Sequence, residues 1–190
     1  MFDKDRFIQD CIKGVGEGQG AIRELVREAV SDPSGMMAAL GDPEHAGIRP
    51  LYSSPELTII HFVWAPCMSL MPHNHQMFSV VGIYAGREDN VFWRRTETAI
   101  EAAGAQSLGV GDVATLGRDI IHSVLNPIAK MSCAIHVYGG DFFHPPRPRS
   151  QWDHETLAEE PWNVDQIKAL FGEAERRFYG AAPPPPLTRA

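Results

Sequence analysis

The chain has 190 residues and a mass of 21.0 kDa, enough for one domain with a full hydrophobic core plus helical extensions. Its 17 Lys and Arg are outnumbered by 24 Asp and Glu, and a net charge of −7 argues against nucleic acid as a partner, because neutralising phosphates needs clustered cations. No run approaches the ~18 apolar residues of a membrane span, and the charged start Met-Phe-Asp-Lys-Asp-Arg leads into no signal-peptide core, so a soluble cytoplasmic protein without a membrane partner is expected. Cys11, Cys67 and Cys133 are far apart with no Cys-x-x-Cys, which predicts reduced, mostly buried thiols instead of a disulfide framework or a cysteine zinc knuckle.

Residues 2–13 place Phe2, Phe7, Ile8, Cys11 and Ile12 close to a helical stripe, which Gly14, Gly16, Gly18 and Gly20 then break. These glycines follow a helix and lack a Gly-Lys-Ser/Thr ending, so they are no phosphate loop. Ile22, Leu25, Val26, Ala29 and Val30 recur at intervals of three and four, predicting a helix that ends near Ser31-Asp32-Pro33, with a short helical turn over Ser34–Leu40. After Pro43 the composition changes. Strand-like segments fall at Arg49–Tyr52, Leu57–Trp64, Met68–Pro72, Met77–Ala85, Val91–Arg95, Ser107–Leu108, Asp112–Leu116, Ile120–Leu125 and Ser132–Tyr138. Short strands separated by Gly, Pro and Asp predict an all-β sandwich or barrel over residues 43–145, behind a helical extension of residues 1–42. Past Gly139-Gly140-Asp141 the chain turns proline-rich, and a last helix is expected over Val164–Phe178, capped by Asn163, with Val164, Ile167, Leu170 and Phe171 on one face. Residues 146–190 are thus expected to form a helix and tail on or beside the barrel, with Pro183–Pro186 extended in polyproline fashion.

Met71-Pro-His73-Asn-His75 carries the strongest chemical signal. Two histidines at i and i+2 share one side of a strand, so His73 and His75 can grip one ion. The run from Met77 to Tyr84 then reads as a buried strand closed by Gly86, Asp89 and Asn90 as turn residues. A second segment, Gly109-Val-Gly-Asp through His122 to Asn126-Pro, opens on a hairpin turn and puts His122 on an apolar strand, where an unpartnered imidazole is costly to bury. Further along, His136 and Tyr138 also stand at i and i+2, where a phenol can donate to a bound oxygen species. His61, in an apolar strand, reads as a bonded core residue.

His-x-His followed by this second segment resembles the two signature motifs of the cupin superfamily, which implies a mainly β jelly-roll barrel, the double-stranded β-helix. By that resemblance His73, His75 and His122 are the metal ligands. The common first motif carries a glutamate four or five residues after its second histidine, but Ser79 and Val80 stand there, so a neutral three-histidine site is expected. Imidazole suits iron, zinc, nickel and copper alike. Three-histidine cupins resemble the cysteine dioxygenase family of thiol dioxygenases, and Cys133-Ala-Ile-His136-Val-Tyr138 looks like that family's Ser-x-His-x-Tyr strand, with Ala134 in place of the serine. The resemblance implies a non-haem iron dioxygenase that oxidises the sulfur of a small thiol with O2, with Fe2+ as the cofactor and His136 and Tyr138 as catalytic groups. It also implies an arginine ahead of the His-x-His for the substrate carboxylate. Arg49 takes that place, with Arg87 and Arg118 as rivals. The family's crosslinking cysteine has no counterpart, so a thioether is not expected unless Cys67 or Cys133 approaches Tyr138. The alternatives are zinc, nickel or another divalent ion in place of iron, and a metal-binding cupin that acts on a non-thiol substrate such as a diketone or binds a small ligand without redox turnover. A homodimer is left open.

Overall fold

Asp3 opens the first helix, its carboxylate accepting the Arg6 amide at 2.9 Å. In the computed structural model, which describes residues 1–180, this helix α1 (Lys4–Gly14) runs through a 3-10 turn at Val15–Glu17 into α2 (Gln19–Val30) and α3 (Pro33–Leu40). Asp32 caps α3 by accepting from Gly35, and its other oxygen takes the Phe2 amide at 2.7 Å, tying the start of the chain to the third helix. The Pro183–Pro186 segment lies outside the described residues.

Next come nine strands, β1 (Gly47–Ser53), β2 (Thr58–Trp64), β3 (Ser69–Asn74), β4 (Ser79–Ala85), β5 (Arg87–Arg95), β6 (Ile100–Gly109), β7 (Val113–Leu116), β8 (Ile121–Leu125) and β9 (Ser132–Tyr138). The short β10 (Ser150–Trp152) and β11 (Glu159–Pro161) precede the last helix, α4 (Val164–Tyr179). Two antiparallel sheets result, ordered β1-β2-β9-β4-β7 and β11-β10-β3-β8-β5-β6. Their inner faces pack together, because Ile60, Phe62 and Trp64 of β2, Leu70 and Met71 of β3, Val124 of β8 and Tyr138 of β9 share one apolar cluster. This is the expected double-stranded β-helix.

The five-stranded sheet is covered on both faces. Ile59, Val63, Cys133, Ile135 and Val137 face outward into a second cluster with Phe7, Ile22, Val26 and Val30 of the helices. Hence β2 and β9 are buried along their whole length and lack the polar–apolar alternation of a half-exposed strand. Gly82 lets α2 approach, since a Cβ there would stand 2.5 Å from Val26 Cγ1. At Gly86, with a φ of 75°, the chain leaves β4 for the other sheet, and a Cβ there would lie 2.3 Å from Ser132 Oγ. Asn163 caps α4 by accepting from Asp165 and Gln166, and Ile167, Phe171 and Ala174 enter the inner cluster, with Phe171 stacked 5.4 Å from Trp64.

Three features depart from expectation. β6 spans Ile100–Gly109, far beyond Ser107–Leu108, because pairing with β5 along its whole length holds a stretch rich in Ala and Gly that has little strand propensity of its own. Asp89 and Asn90 lie inside β5 instead of forming a turn. The segment expected beside the barrel contributes strands to it, since β10 pairs with both β3 and β11.

Candidate metal centre

His73 of β3 is the direct cross-strand partner of His122 of β8, and His75 follows just past the end of β3, where Gln76 turns the chain at a φ of 59°. All three rings are buried. His75 Nε2 lies 3.1 Å from His73 Nε2 and 3.2 Å from His122 Nε2, and the possible ligand atoms of the three residues lie within 4.8 Å of one another. The far nitrogens are occupied elsewhere. His73 Nδ1 donates to the Met71 carbonyl at 3.0 Å, His122 Nδ1 donates to Asn90 Oδ1 at 2.7 Å, and His75 Nδ1 lies 3.3 Å from Ser79 Oγ. A proton held on each Nδ1 leaves the lone pair on each Nε2. Three such lone pairs converging in an apolar interior repel one another unless a cation stands among them, so these residues fit a divalent ion. Burial, with the neighbouring rings adding repulsion, holds His75 and His122 well below the usual histidine value, and burial brings His73 down to about 4. The three rings are therefore neutral at pH 7. Among the described residues no carboxylate joins the set, for Ser79 meets the far side of the His75 ring and Val80 turns toward the helices.

A buried carboxylate that the sequence reading missed stands behind this cluster. Glu88 of β5 is 0% exposed; its Oε2 accepts from Trp64 Nε1 at 2.9 Å and its Oε1 from Asn90 Nδ2 at 3.0 Å. That second bond fixes the Asn90 amide with its oxygen toward His122. Glu88 Oε2 also lies 3.4 Å from His136 Nε2, while His136 Nδ1 lies 3.2 Å from Tyr138 Oη. His136 Nε2 makes no hydrogen bond, so Glu88 acts on that side of the ring by proximity alone while Nδ1 pairs with the Tyr138 hydroxyl. Burial pushes the Tyr138 phenol far above its ordinary value, so it keeps its proton at pH 7. Its ring stands edge-on to His75, centroids 5.1 Å apart. Glu88 thus bears on His136 from another strand, where Ala134 offers no hydroxyl. A buried glutamate flanked by Arg87 and Asp89 carries no periodic signature, which is why it reads as part of a charged turn.

The arginines are redistributed. Arg49 is not brought to the cluster: Ile48 lines the chamber, so Arg49, the next residue on the strand, turns to the opposite face, with Nη2 3.5 Å from the His45 carbonyl. There it neighbours His61, Tyr84 and Cys133. His61 is the bonded residue expected, with Nε2 2.5 Å from Tyr84 Oη. Cys133 faces the same way, away from Tyr138; Cys11 and Cys133 are buried and Cys67 is exposed, in keeping with mostly buried thiols. Arg87 pairs with Asp89 at the surface, and Arg118 is exposed. The arginine near the cluster is Arg149, 6% exposed, with Cζ 4.3 Å from the Phe142 ring centre and 4.5 Å from that of Trp162. Desolvation lowers its pKa to about 10. Pro-Arg-Pro-Arg gave no sign of burial in the sequence, because the aromatic clamp comes from residues on either side that only the fold brings together.

The chamber at the histidines holds about 20 Å3, walled by Phe62, Leu70, Val124, Phe142, Trp162 and Ile167 with His136 and Tyr138. A second cavity of about 330 Å3 adjoins it, sharing Ile48, Phe142, Trp162 and Ile167.

No protein-family model and no curated protein matches the chain. Among solved structures it is similar to a cupin-family protein with a double-stranded β-helix fold from Methanocaldococcus jannaschii, at 12% identity over 53% of this chain and 85% of that one, with a TM-score of 0.46. The BH2720 protein of Bacillus halodurans gives 14% identity over 54% of this chain and 75% of that one, with a TM-score of 0.47. A point variant of oxalate decarboxylase from Bacillus subtilis gives 15% identity and a TM-score of 0.43, over 53% of this chain but 27% of that one. These likenesses concern the barrel, and nothing about activity rests on them. Sheet order and histidine cluster together define a cupin-type double-stranded β-helix with a three-histidine site able to hold a divalent metal ion.

Proposed function

We propose that the protein is a non-haem iron dioxygenase of the thiol dioxygenase type, converting a small thiol to its sulfinic acid, RSH + O2 → RSO2H. The observation that carries the reading is a ligand set of three neutral imidazoles beside a protonated phenol that is hydrogen-bonded to a carboxylate-backed histidine. His73, His75 and His122 would hold the ferrous ion, which supplies one-electron chemistry and acidifies a thiol placed beside it. Because the three imidazoles bring no negative charge, the chamber favours an anionic thiolate over a neutral thiol. Tyr138 keeps a proton at Oη, and His136 Nδ1 orients that hydroxyl. Glu88, 3.4 Å from His136 Nε2, is the charged neighbour of that ring, where the family this strand resembles has a serine and this chain has Ala134. Phe62, Leu70, Val124 and Phe142 keep bulk water from the reacting sulfur.

The test is metal analysis of protein purified without a histidine tag, followed by oxygen uptake and product analysis across a panel of thiols. Uptake matched by sulfinate supports the reading. Iron-loaded protein that consumes no oxygen with any thiol overturns it in favour of ligand binding without turnover or a non-thiol substrate.

A further inference from the structure

Glu88 is a buried acid without a cationic partner. Both its oxygens accept from neutral N–H donors, Oε2 from Trp64 and Oε1 from Asn90, an arrangement that suits the charged, acceptor-only form of the group. Among the described residues no Lys or Arg pairs with it, and the basic nitrogen it meets, His136 Nε2 at 3.4 Å, makes no hydrogen bond. Arg149, also buried, lies between the Phe142 and Trp162 rings instead. Two neutral donors do not by themselves offset the cost of taking a carboxylate out of water, which calls for a positive charge nearby. The place for one lies beyond Asn90. That amide donates to the carboxylate from Nδ2 at 3.0 Å and accepts the His122 Nδ1 proton on Oδ1 at 2.7 Å, so Glu88 stands two hydrogen bonds behind a ring whose Nε2 faces the histidine cluster. Three neutral imidazoles leave the charge of a dication unanswered inside its own ligand set. Across a buried span of this kind salt screens little, because the solvent that carries it is excluded. The cluster would hold a cation without an anionic ligand, and the carboxylate is an anion without a cation; each supplies what the other lacks.

We infer that Glu88 is the counter-ion of the metal site, a positioning residue that sets how much positive charge the three histidines can carry, through Asn90 and through space, without touching the ion. The inference rests on His73, His75 and His122 holding a metal and is independent of the substrate. Coulomb energy grows in proportion to the charge of the ion, so a neutral residue at position 88 penalises a dication about twice as much as a monocation on a logarithmic scale, whereas a distorted ligand geometry has no such scaling. The same proportion favours the ferric over the ferrous ion, so Glu88 holds the iron potential down.

Competition titrations with chromophoric chelators test it on metal-free protein purified without a histidine tag, with Zn2+ in air and with Cu+ under nitrogen. Glu88→Gln should lose about tenfold in Zn2+ affinity and about threefold in Cu+ affinity, so that the ratio of the two falls about threefold. In the iron-loaded protein, each tenfold by which Glu88→Gln weakens Fe3+ more than Fe2+ raises the midpoint potential by about 59 mV. Equal losses for Zn2+ and Cu+ with an unmoved potential make Glu88 a structural residue and overturn the inference. Should Glu88→Gln fail to fold by circular dichroism, the double variant Glu88→Gln/Asn90→Asp takes its place, since it moves the carboxylate one hydrogen bond nearer to His122 and keeps a donor facing an acceptor at each of these contacts. Its Zn2+ to Cu+ ratio should rise above that of the wild type, and a ratio at or below the wild-type value overturns the inference. Wild-type protein that takes up neither ion overturns it together with the metal site. Absence of oxygen uptake with every thiol sinks the oxygenase reading and leaves the affinity ratios standing.

Discussion

Asn90 joins His122 of the proposed metal site to the buried carboxylate, and its removal separates support of the metal from support of the fold. Its Oδ1 accepts from His122 Nδ1 at 2.7 Å and its Nδ2 donates to Glu88 Oε1 at 3.0 Å, so Asn90→Ala strands a buried ring N–H and a buried carboxylate oxygen. Loss of a partner behind a ligating histidine costs about 10–100-fold in metal affinity, or about 1.4–2.7 kcal/mol. Each stranded group costs about 1–3 kcal/mol of stability as well, metal or no metal. Asn126→Ala supplies the control. Asn126 Nδ2 donates to the Ala65 and Lys130 carbonyls at 2.9 and 2.8 Å and its Oδ1 accepts from Ser132 Oγ at 3.0 Å, a comparable buried network that touches no histidine. Metal affinity would be read by competition with a chromophoric chelator at pH 7, and stability by thermal unfolding of the metal-free variants. Asn90→Ala should weaken metal binding about tenfold or more. Asn126→Ala should lose stability while metal affinity stays within about twofold. Wild-type metal affinity in Asn90→Ala would refute the reasoning, and equal weakening in both variants would reduce it to a general loss of stability.

Replacing His73, His75 or His122 with alanine should remove most bound metal while circular dichroism still reports the fold; stoichiometric metal in all three variants would sink the assignment. Tyr138→Phe should lower turnover far more than metal content, and unchanged turnover would make Tyr138 a structural residue. Burial holds His61 and His73 at about 4, below an unfolded value of about 6.5, so the unfolded chain binds more protons in between. Stability of the metal-free protein should therefore fall as pH falls from about 6.5 to 4, by about 3 kcal/mol per group at the lower end, and a flat melting profile over that range would contradict it. Arg49→Lys should leave apparent affinity for carboxylate substrates unchanged, since the side chain faces away from the chamber; a selective loss with carboxylate thiols would restore Arg49 to the site.

The three histidines were legible because local spacing and an apolar setting mark them: His73 and His75 by their i, i+2 relation, His122 by the cost of burying a lone imidazole. Asn163 as a helix cap and most strands were legible for the same local reason. What stayed hidden depends on register between distant segments. Ile48 and Arg49 are neighbours in sequence, and which of them faces the chamber is set by the pairing of β1 with β2, where both faces of β2 are apolar. Glu88 and Arg149 are ordinary charged residues until Trp64, Asn90, Phe142 and Trp162 close around them. β10 and β11 have three residues each, too few for a period to show.

The two halves of the site stand on parts of the fold that differ in how readily they open. His136 and Tyr138 sit on β9, flanked by β2 and β4 and covered by helices on its outer face, so its amides should exchange with solvent only on global unfolding. The far side of the chamber is closed by Trp162 and Ile167, reached through three-residue β10 and a β11 whose residues are all exposed. That edge should fray at a small fraction of the global free energy. A molecule entering or leaving would then cross a cover that detaches segment by segment while the strand bearing the phenol stays fixed, so exchange rates along β11 and the first turn of α4 should set an upper limit on how fast ligands come and go.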